Sequence, residues 1–174
     1  GATASYAVGD LRGIGLGGID LTAWNLAGQN LTGAVLTTAK LPNIAGFQLA
    51  GATLDQATLE RGDARGVDLS GASLVGGRFA ASDFSHANLA GARFMNADLR
   101  GANLTGANLR GANTSGGDFS DATLKGAILD EESLRGALLR GVSFATVDLT
   151  GVDLTDAAIE RASFAGETAH GLTF

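Results

Sequence analysis

The chain has 174 residues, a net charge of −6, 27 glycines, one proline and no cysteine. Its length suits one domain. The missing cysteine excludes disulfides, thiol nucleophiles and thiolate metal sites, and the acidic balance argues against nucleic-acid binding through phosphates.

No run of about 18 apolar residues is present, so no membrane-spanning helix is expected. No charged segment precedes an apolar core, so no signal peptide is visible. The default expectation is a cytoplasmic chain, trimmed before Gly1, which is not Met.

In chain order, the first regularity is an apolar residue at every fifth position: Tyr6, Leu11, Leu16, Leu21, Leu26, Leu31, Leu36 and Leu41. Two residues before three of these stand Ile14, Ile19 and Trp24. The phase then jumps by three, from Leu41 to Ile44, across Pro42-Asn43. Pro42 donates no backbone hydrogen bond, and no Ser/Pro-rich linker surrounds it, so the jump reads as a bulge or corner loop inside one solenoid. From Ile44 to Phe164 every fifth residue is Leu, Phe or Ile except Ala64 and Thr114. A period of five is neither 3.6 nor 2; a short fixed period means stacked identical units.

The unit is plainest in Ala97-Asp98-Leu99-Arg100-Gly101, Ala102-Asn103-Leu104-Thr105-Gly106 and Ala107-Asn108-Leu109-Arg110-Gly111. This closely resembles the pentapeptide-repeat family, with its A-(D/N)-L-x-x motif, over nearly the whole chain. The resemblance implies an all-β fold: a right-handed quadrilateral parallel β-helix of four pentapeptides per coil. The centre residue and the residue two before it would point inward. Leu or Phe at the centre supplies core volume, the earlier Ala must be small, and Gly at the corner suits the positive φ of a type II turn. One domain over 1–174 is expected, in one phase over 1–41 and a second over 44–174. That makes about eight coils and a rod roughly 40 Å long.

Within this frame, bulky Trp24 implies distorted first coils or an N-terminal cap. Thr114 at a centre needs an acceptor for its buried hydroxyl, such as a carbonyl of the neighbouring coil. Glu132 falls in an inward slot that a carboxylate should avoid, which predicts a local bulge. Asp63 and Asp83 should stack one coil apart beside Arg65, as a solvated pair. Val75 and Met95 stack as isolated outward apolars. His86 and His170 lie four coils and one face apart, roughly 20 Å, too far to share a metal. The Gly-rich stretch from Gly13 to Gly18 opens no helix, so it does not read as a dinucleotide loop. No catalytic, cofactor or metal site is expected.

The net charge falls on two adjacent faces. The face centred on Leu49, Leu69, Leu89, Leu109, Leu129 and Leu149 carries Asp68, Asp130, Glu131, Asp148 and Glu167 against Arg110. The next carries Asp55, Glu132, Asp153 and Asp156 against Arg93 and Arg135. Asp68, Asp130, Glu131 and Asp148 form a candidate acidic interaction face. Leu154, Phe164, Leu172 and Phe174, inward-type residues at the C-terminal end, form a candidate homodimer end, since solenoid ends need caps.

Two functions follow as expectations. The first is a non-catalytic structural or interaction module for an unidentified protein partner, as other solenoids are. The alternative, implied by the resemblance, is a DNA mimic that binds DNA gyrase and protects it against quinolone-type inhibitors. B-DNA carries one charge per about 1.7 Å, so a 40 Å rod would need on the order of 23 charges, far more than a net −6.

Overall fold

The five-residue period builds a chain that turns every five residues. At Leu49-Ala50-Gly51-Ala52 the Ala52 N–H donates to Leu49 O at 3.0 Å, and Gly51 takes φ 64°. A positive φ at the third residue of a hydrogen-bonded turn is the type II signature, which glycine meets without steric cost. Four such turns close a square coil. The computed structural model describes residues 10–164 and 170–174; Tyr6 and Glu167 lie outside the described residues.

Coils are joined by single parallel bridges such as Gln48–Asp68, Asp68–Asn88 and Asn88–Asn108, each linking residues 20 apart. The described residues contain no helix. The chain is a right-handed quadrilateral β-helix. Its core is a column of centre residues, Leu49, Leu69, Leu89 and Leu109 among them, with Ala52, Ala72, Ala92 and Ala112 in the neighbouring inward slots; all are fully buried.

Aromatic centres alter that packing. Gly77 and Gly117 replace the inward Ala two residues before Phe79 and Phe119, and a Cβ on Gly77 would fall 2.2 Å from the Phe79 ring. Phe79 meets Phe84 edge-on at 5.9 Å, and Phe94 meets Phe119 at 5.8 Å. Such edge contacts suit the ring quadrupoles.

The phase jump shortens one coil. Bridges Asn30–Gln48, Val35–Thr53 and Lys40–Thr58 each join residues 18 apart, and the 20-residue register resumes afterwards. No turn closes after Leu41. The Ile44 N–H donates instead to Asp63 O in the next coil, at 2.7 Å. Asn43 Oδ1 accepts the Asp63 N–H at 3.0 Å, a role filled by backbone carbonyls in later coils. Inside, the missing corner leaves a small apolar void lined by Leu21, Leu26, Leu41, Pro42, Ile44 and Phe47. Phe47 occupies an inward slot that elsewhere holds Ala, and it is buried.

The first described coil keeps its buried centres, Leu16, Leu21 and Leu26, but not the regular filling of the inward slots before them. Ile14 and Trp24 are half-buried and Ile19 is exposed, because side chains of this bulk do not fit Ala-sized slots. Gln29 does sit in an inward slot of that coil and is buried.

The bulge at Glu132 is present. Residues 130–136 leave the ladder, Glu132 is exposed and Ser133 is fully buried. Among the described residues neither Asn113 nor Ile128 has its bridge to the following coil. The displaced strand frees Arg135 O, which accepts the Thr114 hydroxyl at 3.4 Å, while the Gly116 N–H moves to Gly136 O.

Candidate interaction surfaces

The residue before each centre explains much of the acidity. Its side-chain oxygen accepts the backbone N–H two residues on: Asp68 from Ser70 at 3.0 Å, Asn103 from Thr105 at 3.1 Å, Asp118 from Ser120 at 3.0 Å. This is an Asx-turn, which Asp and Asn form equally well. The amides also link coils: Asn88 Nδ2 donates to Asp68 at 3.1 Å, and Asn103 Nδ2 to Asp83 at 3.0 Å. Sequence reasoning treated these positions as free outward charges. The recurring spacing between Asp or Asn and the N–H it caps is the signal it missed.

The candidate acidic residues therefore differ in kind. Asp68 caps its turn and receives Asn88. Asp130 is tied into the bulge: Oδ2 accepts the Gly111 N–H at 2.7 Å and Oδ1 the Glu132 N–H at 3.2 Å. Glu131 is exposed. Asp148 is exposed, and Thr150, through its hydroxyl and its N–H, holds its carboxyl below the usual value. Asp63 and Asp83 do bridge one coil apart. Arg65 grips Asp63 at 2.9 and 2.7 Å and holds its carboxyl down, while Asn103 takes Asp83.

The opposite face carries a chain of ion pairs. Lys40 meets Asp20 at 3.3 Å, Arg78 meets Glu60, Arg100 meets Asp98 at 2.7 Å and Asp118 at 3.9 Å, and Arg140 meets Glu160 at 3.0 Å. Exposed pairs of this kind contribute little stability each, but they neutralise the face.

At the C-terminal end, Leu154 is not part of the exposed surface. The Leu154 N–H donates to Thr173 O at 2.8 Å, and Leu154 is buried as the last described segment passes over it. Phe164 and Leu172 are half-buried, and Phe174 is 71% exposed. Phe144, Phe164 and Phe174 form a ring column, stacked at 4.9 Å and then edge-on at 6.4 Å.

Comparison with known proteins agrees with this geometry. A family model described as pentapeptide repeats (8 copies) matches three segments, residues 48–85, 78–116 and 118–156. No curated protein matches. Among solved structures the chain is similar to HetL, a pentapeptide repeat protein involved in heterocyst differentiation regulation in the cyanobacterium Nostoc sp. strain PCC 7120. The identity is 24%, over 94% of this chain and 86% of that one, with a TM-score of 0.54. It is also similar to full-length QnrB1, a plasmid-mediated fluoroquinolone resistance protein: 15% identity, 94% and 92% coverage, TM-score 0.38. A third is a pentapeptide repeat protein of the Arabidopsis thaliana thylakoid lumen: 28% identity, 62% and 68% coverage, TM-score 0.29. At these values HetL bears on the fold alone, and the other two carry no argument. With the family model covering most of the chain, this protein belongs to the pentapeptide-repeat family.

Proposed function

We propose that this chain is a non-catalytic rod whose acidic faces, around Glu131 and Asp148, receive a basic protein surface. Family membership supports a structural or interaction module, and no enzyme family is indicated. The observation that carries the finer reading is the asymmetry between opposite faces. One face is neutralised by its own ion pairs, while the acidic face, from Asp68 to Asp148, holds one cation, Arg110; Arg12, on the same face in the first described coil, is paired with Asp10. Complementary charge steers and orients docking more than it adds affinity. The test is titration with a lysine-rich peptide followed by backbone amide NMR. Saturable shifts centred on residues 130–132 and 148 support the reading, provided that Glu131→Lys with Asp148→Lys removes them. Shifts that survive the double reversal sink it.

The gyrase reading is the second one, favoured by the gathering of acid on adjacent faces of a rod. Its weakness is density: along the first face Asp68 is followed by Asn88 and Asn108 before acid returns at Asp130. A supercoiling assay decides it. No inhibition and no quinolone protection at about 10 µM protein ends the proposal, since useful competition with DNA needs at least micromolar affinity.

Self-association through Phe164, Leu172 and Phe174 belongs to the same proposal. Light scattering at about 100 µM should show a dimer if this end is an interface of micromolar strength; a monomer there removes it.

A further inference from the structure

The two residues missing from the short coil leave a notch in the outer surface. Thr22 from the coil before it and Glu60, Arg61 and Gly62 from the coil after it line one depression, with Asn43 between them. In a regular coil the absent corner would separate these two groups. The notch is also lined by Lys40 and Arg78.

Its charge is opposite to that of the chain. Lys40, Arg61 and Arg78 face it against Glu60 alone, in a protein of net charge −6. Lys40 and Arg78 are held by Asp20 and Glu60 in exposed pairs, which are weak and free to rearrange. Arg61 makes no side-chain hydrogen bond or ion pair with any described residue. It also sits at a corner with φ 55°, where glycine is the family's usual residue and a side chain carries a conformational penalty. Asn43 is anchored through Oδ1, so its amide Nδ2 is left as a donor. Thr58 adds a hydroxyl at the rim, while the Thr22 hydroxyl is already donated to Asp20 Oδ1 at 2.6 Å.

We propose that this notch is a binding site for a phosphate-class oxyanion, free or as a phosphomonoester. Three cations converging from three coils, with amide and hydroxyl donors, suit a tetrahedral dianion with several acceptor oxygens. A planar carboxylate would use only the fork of one arginine.

The test is titration of the full chain at constant ionic strength with three probes: inorganic phosphate, phenyl phosphate and acetate, followed by amide and guanidinium NMR. Saturable shifts at Lys40, Asn43, Arg61 and Arg78 with both phosphates, and at least about tenfold weaker acetate binding, are expected. Phosphate alone binding, with phenyl phosphate excluded, assigns the site to the free ion; equal binding assigns it to the monoester group. Arg61→Gly is the key variant, because it removes the cation while relieving the positive φ, so the fold is retained. It should weaken phosphate by about tenfold, the loss of one charge-assisted contact, whereas Arg110→Gln on the acidic face should leave the titration unchanged. Linear shifts spread over all cations, acetate equal to phosphate, or an Arg61→Gly chain that titrates like the parent would each overturn the assignment.

Discussion

The buried hydroxyl of Ser133 lies 3.0 Å from the carbonyl oxygen of Leu109 in the preceding coil. It also accepts the Asp130 N–H at 2.8 Å and lies 2.7 Å from Asp130 Oδ1. Asp130 Oδ2 then takes the Gly111 N–H, the bond that Arg110 O makes to the Gly91 N–H one coil earlier. Side chains replace backbone across the bulge. Thr114 and Glu132 are accordingly two sides of one feature, because the shifted segment that expels Glu132 is the one that offers Arg135 O to Thr114.

Asp130 and Asp68 should respond differently to loss of charge. Asp68→Asn keeps an Asx-turn acceptor and is expected to change stability by less than about 0.5 kcal/mol. Asp130→Asn sets an amide against the Gly111 N–H or against Ser133, leaving one donor unpaired, at about 1–2 kcal/mol. Urea denaturation of both variants checks this. Equal effects would show that Asp130 is an ordinary surface acid.

The sequence carried the register, the two-phase chain and the position of the bulge, because each is a departure from a repeat that every neighbour obeys. It did not carry the role of Asp and Asn before each centre. Outwardness was legible there, but the hydrogen bond back to the chain was not. Gln29 was equally silent: a polar residue in an inward slot looks like a defect in the pattern, yet it is buried. Leu154 was grouped with the exposed end, although the same register sets Thr173 one coil above Asp153 and so brings residues 170–174 over Leu154.

Phe47 tests the short coil. By the repeat rule alone Ala belongs in this slot, so Phe47→Ala should be harmless. The structure gives the opposite expectation, since Phe47 fills room left by the missing corner beside an existing void. Truncation should cost about 3 kcal/mol, and more than Leu→Val at a regular centre. Thermal unfolding of Phe47→Ala against the parent decides between the rules.

Two glycines separate clash from strain. Gly101 has φ 65° and open space where a Cβ would go, so Gly101→Ala should cost about 1 kcal/mol from backbone conformation. Gly77 has no such φ, but a Cβ there would clash with the Phe79 ring, so Gly77→Ala should cost about 2–3 kcal/mol. Phe79→Leu in the same chain should recover part of that loss, a coupling that a double-mutant cycle measures. Additive effects would remove Phe79 as the cause.

Acid should loosen the rod from its Asx-turns outward. Arg65 lowers the carboxyl of Asp63 and Arg100 that of Asp98, in each case chiefly by side-chain hydrogen bonding, from a usual value of 3.8. The hydroxyl and N–H of Thr150 act likewise on Asp148. As pH falls through that value the unfolded chain takes up protons before the folded one, so stability declines. The contribution is complete above about pH 5 and is lost as pH drops through the depressed folded values. Urea midpoints should therefore be level between pH 7 and pH 5 and fall by pH 3. Asp63→Asn retains a cap for the Arg65 N–H but has no carboxyl to protonate, so its midpoint should fall less over the same interval. An unchanged acid slope in that variant would place the sensitivity at other carboxylates.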